Sequence, residues 1–294
     1  MNSDKTCLFC GVGLHGKGNR QGRTVEHIVP KWLMDHLGGR DQQIAPALHE
    51  IETGALIGRR QHSVKMLLAG SVCATCNNGW MSLLETQAKP ILIRLIGDPD
   101  QLVKLTEAER LIISRWTVKT AAALNRASPC SDPKYPSGRP MPKEHLRLLS
   151  AGSIPDSVVV VGGAYNSEKA FDFMQSTSWT WPRASVPLRE EDKDRSYKVA
   201  VAFCGLVLAV AYFPNSDYLY GIREGMYVPL WTGIRGVRQH HQPLNDLPPV
   251  TTSPMLEGFL ENIWAISRTW LEIVDNASTT KLVQIPGTDS PHGR

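Results

Sequence analysis

Polar and apolar positions alternate over residues 24–29, where β-branched side chains dominate, so a strand is predicted there, carrying Glu26 and His27. Pro30 ends it, and residues 31–37 space their apolar side chains as a short amphipathic helix. A second strand is read at 63–68. Over 77–89 the period lengthens to that of a helix, with Trp80, Leu83 and Leu84 on its apolar face and a break expected at Ala88-Lys89-Pro90. Thr106 and Glu109 match a capping box ahead of a helix over 107–125. Leu111, Ile112, Arg115, Trp116, Lys119 and Ala123 recur there at helical spacing. Residues 127–142 are rich in Pro and Ser and read as loop, and 143–149 as a short helix. Apolar runs at 157–162, 170–181 and 197–203 predict strands, and 206–213 is expected to pair with the last of them across Gly205. A polar loop over 242–254 precedes a helix predicted for 255–271. Residues 276–294 are polar and expected to fray. There is no internal repeat.

These elements predict an α+β chain in three stretches. Residues 1–90 form a compact N-terminal module, interrupted by an insertion at 38–71. Residues 91–275 form a separate α+β domain with an antiparallel sheet and flanking helices. Residues 276–294 are a tail.

Composition narrows the class. Of 294 residues, 42% are hydrophobic and 20% charged, which is ordinary for a globular protein and argues against intrinsic disorder. The longest apolar run, 199–213, is interrupted by Gly205 and too short to span a bilayer. Met1-Asn2-Ser3-Asp4 carries no apolar leader. The expectation is a cytoplasmic protein with no membrane partner. In that compartment, paired cysteines read as metal ligands rather than disulfides. Cys130 and Cys204 stand alone, and Cys204, inside an apolar run, is expected to be a buried core thiol. The net charge of +4 permits nucleic-acid binding without demanding it. Residues that could meet phosphates are Arg23 with Lys17 and Arg20, Lys31, and the cluster Arg59, Arg60 and Lys65; solvated loop charge explains these equally well.

The candidate chemistry lies in the first 78 residues. Cys7-x-x-Cys10 and Cys73-x-x-Cys76 can supply four thiolates to a tetrahedral structural zinc. Between them lies Glu26-His27-Ile28-Val29-Pro30, and Asn77-Asn78-Gly79-Trp80 follows the last cysteine. A carboxylate and an amide can hold a hard divalent ion, and a neutral imidazole can take a proton from water. Trp80 is expected to pack on the cysteine knuckle. His240-His241 has no partner motif and reads as loop.

Over residues 5–90 this arrangement resembles the HNH, or ββα-metal, endonucleases of the four-cysteine type. The resemblance implies that Cys7, Cys10, Cys73 and Cys76 bind structural Zn²⁺. It implies that Glu26 and Asn77 hold a catalytic Mg²⁺ or Mn²⁺, with His27 as general base; Asn78 is the alternative to Asn77. It also implies that the strand distorts enough for Glu26 and His27 to serve one site, although neighbours on a strand point to opposite faces. The partner would be nucleic acid, first of all double-stranded DNA, and genome defence against phage would suit such an enzyme. The residue that would orient the base is hidden by the insertion, which contains His49 and His62. Glu85 could reach the metal from the helix or face solvent. The C-terminal domain would choose the substrate, sense a signal or build a homo-oligomer. Two other functions compete: a non-catalytic zinc module that binds nucleic acid or a protein, and an RNase.

Overall fold

The computed structural model describes residues 6–14, 22–44, 47–49, 56–59, 61–127, 141–165, 170–176, 196–216, 218–223, 225–233, 237–240 and 263–267. It is a mixed α/β structure with antiparallel sheets and several helices. The N-terminal part contains β1 (Arg23–His27), α1 (Lys31–Leu37), β2 (Gln43–Ile44), β3 (Ala47–His49), β4 (Leu56–Arg59), β5 (His62–Ser63) and β6 (Leu68–Cys73). Three helical pieces follow: α2 (Ala74–Cys76), a π-type turn at Asn77–Met81, and α3 (Ser82–Gly97). Then come α4 (Glu107–Ala127), α5 (Lys143–Ser150), β7 (Val158–Ala164), β8 (Phe171–Ser176), β9 (Tyr197–Phe203), β10 (Leu206–Tyr212), β11 (Tyr218–Arg223), β12 (Val228–Trp231), β13 (Val237–His240) and β14 (Ile263–Ser267).

Several expectations need correction. The strand read at 63–68 is a short 3-10 turn, Val64–Met66, and the true strand starts at Leu68 and runs into the second cysteine knuckle. The helix does not break at Pro90. It continues to Gly97 because Ile91, Leu92 and Leu95 keep its buried face going. Each buried aliphatic side chain contributes about 1.5–3 kcal/mol, so three of them outweigh the roughly 3 kcal/mol cost of an internal proline. The helix expected over 255–271 contains a strand instead: Ile263–Ser267 pairs antiparallel with β11, and sheet pairing overrides the local pattern. His240 ends strand β13, and His241 lies outside the described residues. Cys204 is not a core thiol. It sits half-exposed at the tip of the β9–β10 hairpin, with φ of 52°, because the apolar run is two strands and their turn falls on it. Residues 276–294 lie outside the described residues.

The core explains the layering. Seven strands form one sheet in the order β12-β7-β10-β9-β8-β3-β4. Every residue of β9 and β10 is buried, and alternation sends successive side chains into two different cores. Val158, Val160, Val199, Val201, Leu208 and Val210 join the helices in one. Val159, Val161, Ala200, Ala202, Val207 and Ala209 pack against Tyr220, Ile222 and Ile263 of the three-stranded sheet β13-β11-β14 in the other. His145 on α5 is buried, with Nδ1 3.0 Å from the Tyr197 hydroxyl and Nε2 3.3 Å from Ser157 Oγ, which ties α5 to β9 and to the start of β7.

The helical core crosses residue 90 without a gap. Phe9, Ile28, Leu33 and Val72 belong to the same cluster as Trp116, Leu149, Val160 and Phe203. The insertion also reaches across: β3 pairs parallel with β8 and brings β4 to the edge of the large sheet.

Candidate metal centre and polar site

Two knuckles build the cysteine cluster. In the first, Thr6 bridges Gly13, Cys7 N–H donates to Val12 O at 2.7 Å, and Gly11 turns back to Cys7 O with φ of +74°. Leu8 N–H then donates to Ser71 O at 2.7 Å, which fastens this knuckle to β6. The second knuckle is the junction of β6 and α2. The four Sγ atoms lie within 4.8 Å of one another, with Cys10 and Cys73 at 3.7 Å. A tetrahedron of sulfurs about 2.3 Å from a zinc ion has edges of about 3.8 Å, so the cluster can hold zinc. Backbone amides already point at the sulfurs: Cys73 N–H to Cys7 Sγ and Cys76 N–H to Cys73 Sγ, both at 3.4 Å. A hydrogen bond from the Cys76 thiol, with help from nearby backbone amides, pulls the Cys7 thiol down to about 4. The same hydrogen bond, then burial, pushes Cys76 up, and burial pushes Cys10 up. Trp80 packs its ring edge-on against Phe9 of the first knuckle at 5.3 Å.

The cluster joins two antiparallel strands to a helix. β1 pairs with β6 from Arg23↔Cys73 to His27↔Leu68. The register slips once: Gly70 and Ser71 together face Val25, a bulge in β6 rather than β1. Glu26↔Ala69 and His27↔Leu68 are then in regular register, so the expected distortion is absent where it was needed. Glu26 is buried on the face toward the helices, and His27, on the opposite face, is half-exposed.

Asn77 rather than Asn78 turns toward β1. Thr24 spends its hydroxyl hydrogen on Val72 O at 2.9 Å, so Oγ1 can only accept from Asn77 Nδ2, at 3.2 Å. That fixes the amide and leaves Oδ1 without a donor among the described residues. The π-type turn, kinked at Gly79, is where Asn77 leaves the regular helix; Asn78 is exposed. Thr24 and Glu26 share one face of β1, so the Asn77 amide lies on the Glu26 side.

A residue with no role assigned from the sequence dominates this face. Lys119, fully buried on α4, places Nζ 2.9 Å from Glu26 Oε1 and 2.8 Å from Glu85 Oε1. Glu85 therefore turns inward to Lys119 rather than simply facing solvent. Burial drives Glu26 toward its neutral form, opposed by Lys119. Burial also disfavours the Lys119 charge, but the two carboxylates overcome it and hold the ammonium above its usual range. The signal in the sequence was a lysine in a largely apolar helical stripe; its partners, 93 and 34 residues away, could not be read. His27 is held below the usual imidazole range by burial and then by Lys31 and Arg40, with Glu85 opposing.

The chain matches no known protein-family model, no curated protein and no solved structure. The cationic candidates are scattered. Arg23, exposed, donates from Nε to Gly70 O across the bulge, and Lys31 is exposed at the start of α1. Lys65 pairs with Asp41 at 2.5 Å, which offsets its charge. Arg59 lies in β4, its side chain outside the description, and Arg60, Lys17 and Arg20 lie outside the described residues. His62 faces Ile44 in the β2–β5 pair, and His49 is in β3. Among the described residues, no helix is long and apolar enough to cross a membrane.

Proposed function

We propose that the chain is a metal-dependent endonuclease of the HNH type that hydrolyses phosphodiester bonds, with DNA as the first substrate to test. One observation carries this reading: two antiparallel strands run through a four-cysteine cluster into a helix, and the first residue after the last cysteine, Asn77, hydrogen-bonds to Thr24 on the strand that carries Glu26 and His27. Zinc in the cysteines would be structural, since all four positions are filled by protein sulfurs. Glu26 and Asn77 Oδ1 are hard oxygen donors of the kind Mg²⁺ and Mn²⁺ take, and a bound ion of this kind would stabilise charge on the phosphate and leaving oxygen.

The remaining work falls to His27. It stays neutral at cellular pH because its surroundings disfavour the imidazolium. In this reading it takes the proton from a water that attacks phosphorus, and the P–O bond to the leaving sugar oxygen breaks. In this reading the scissile phosphate would lie at the His27 end of β1.

A second reading has its own observation. Lys119 already pairs with Glu26 and Glu85, as it would in a non-catalytic zinc module that binds nucleic acid or protein. Matched reactions on duplex DNA and single-stranded RNA, with Mg²⁺ or Mn²⁺, separate the possibilities. The endonuclease reading expects His27→Ala to fold, keep zinc and lose cleavage. A binding module expects His27→Ala to retain its function, and an RNase cleaves RNA in preference to duplex DNA.

A further inference from the structure

Lys119 is an expensive residue to bury. Its side chain has no exposure, and a methionine or leucine would fill the same space beside Trp116 and Ala123 without desolvating a charge. The ammonium reaches one oxygen of Glu26 on β1 and one of Glu85 on α3, from a helix that belongs to neither. Two carboxylates from separate elements are thereby drawn to a single point, on the same face of β1 as the Asn77 amide.

We propose that Lys119 is a positioning residue for the reaction above, acting through Glu26 and Glu85 as a resident cation that a divalent ion must compete with. The role has two parts. The ammonium holds the carboxylates converged, where they would otherwise repel each other. Its charge also keeps the affinity for a second cation low, because like charges a few ångströms apart in a partly desolvated site repel strongly. The proposal rests on the endonuclease reading for the use of the site, but not for the competition.

The test uses the full chain with zinc bound and Mn²⁺ alone as probe, its free concentration followed by electron paramagnetic resonance. Wild type, Lys119→Met, Lys119→Arg and Glu85→Gln are compared, with cleavage rates measured alongside. Lys119→Met is expected to bind Mn²⁺ about tenfold or more tightly, with a lower maximal cleavage rate because Glu26 has lost its anchor. Lys119→Arg, which keeps the charge, is expected to return the affinity toward wild type. A packing role alone would not tighten the metal. Unchanged or weaker Mn²⁺ binding in folded Lys119→Met overturns the proposal, as does an absence of Mn²⁺ binding in every form. If Lys119→Met does not fold, Glu85→Gln decides. Its side chain is 24% exposed, and loss of its charge is expected to weaken Mn²⁺ by about tenfold; no change overturns the proposal. Failure of the endonuclease reading looks different: no cleavage by wild type, or equal cleavage by His27→Ala, with the Mn²⁺ shifts still present.

Discussion

At the scale of single residues, two side chains make sharp predictions. His27 sits below the ordinary imidazole pKa of 6.5 because burial, Lys31 and Arg40 all disfavour its charged form. A base is active when neutral, so a depressed pKa extends activity toward acid. The acid limb of kcat/KM against pH should therefore lie below 6.5. Arg40→Gln removes one of the opposing charges and should move the limb to higher pH; a limb that stays put under Arg40→Gln contradicts the assignment of His27. Cys204 stands at a φ of 52°, which costs a non-glycine residue free energy. Cys204→Gly should stabilise the protein by about 0.5–1 kcal/mol, read as a higher urea midpoint at constant slope.

At the scale of elements, what could be read from the sequence is what is local. The Thr106–Glu109 capping box is one example. Thr106 N–H donates to Glu109 Oε2 at 2.9 Å, and Glu109 N–H returns to Thr106 Oγ1 at 3.2 Å. Thr106→Ala should cost about 1 kcal/mol in thermal or urea unfolding. The strand carrying Glu26 and His27 and the hairpin across Gly205 were legible for the same reason: alternation and turn residues sit side by side in the chain. The strand at Ile263–Ser267 was not, because five residues of mixed character take their state from a partner elsewhere. Nor was the parallel pairing of β3 with β8, or the Lys119 contact with Glu26. The cysteine cluster was legible because the residue type and the CxxC spacing mark it, whatever lies between the knuckles. The orientation of Asn77 needed the Thr24 hydroxyl, which no motif mentions.

At the scale of the whole molecule, the core shared across residue 90 sets how the protein comes apart. Cys7, Cys73 and Cys76 belong to the same buried cluster as Trp116, Val160 and Leu208. Metal bound by such ligands contributes directly to folding. Stripping zinc with a chelator, or Cys76→Ser, should therefore lower one cooperative transition, coincident by circular dichroism and tryptophan fluorescence. Two separated transitions would show that residues beyond 90 fold independently of the cluster. The same continuity explains how a lysine on α4 reaches the polar face of β1. The proposed hydrolysis of phosphodiesters uses Glu26 on this face and His27 on the other face of the same strand, and it is tested most directly by relaxation of supercoiled plasmid in Mg²⁺ or Mn²⁺ by wild type and His27→Ala at equal zinc content. Wild type should nick the plasmid, and His27→Ala should do so about a hundredfold or more slowly. Equal nicking by both proteins, or none by either across both metals, would contradict the proposed hydrolysis.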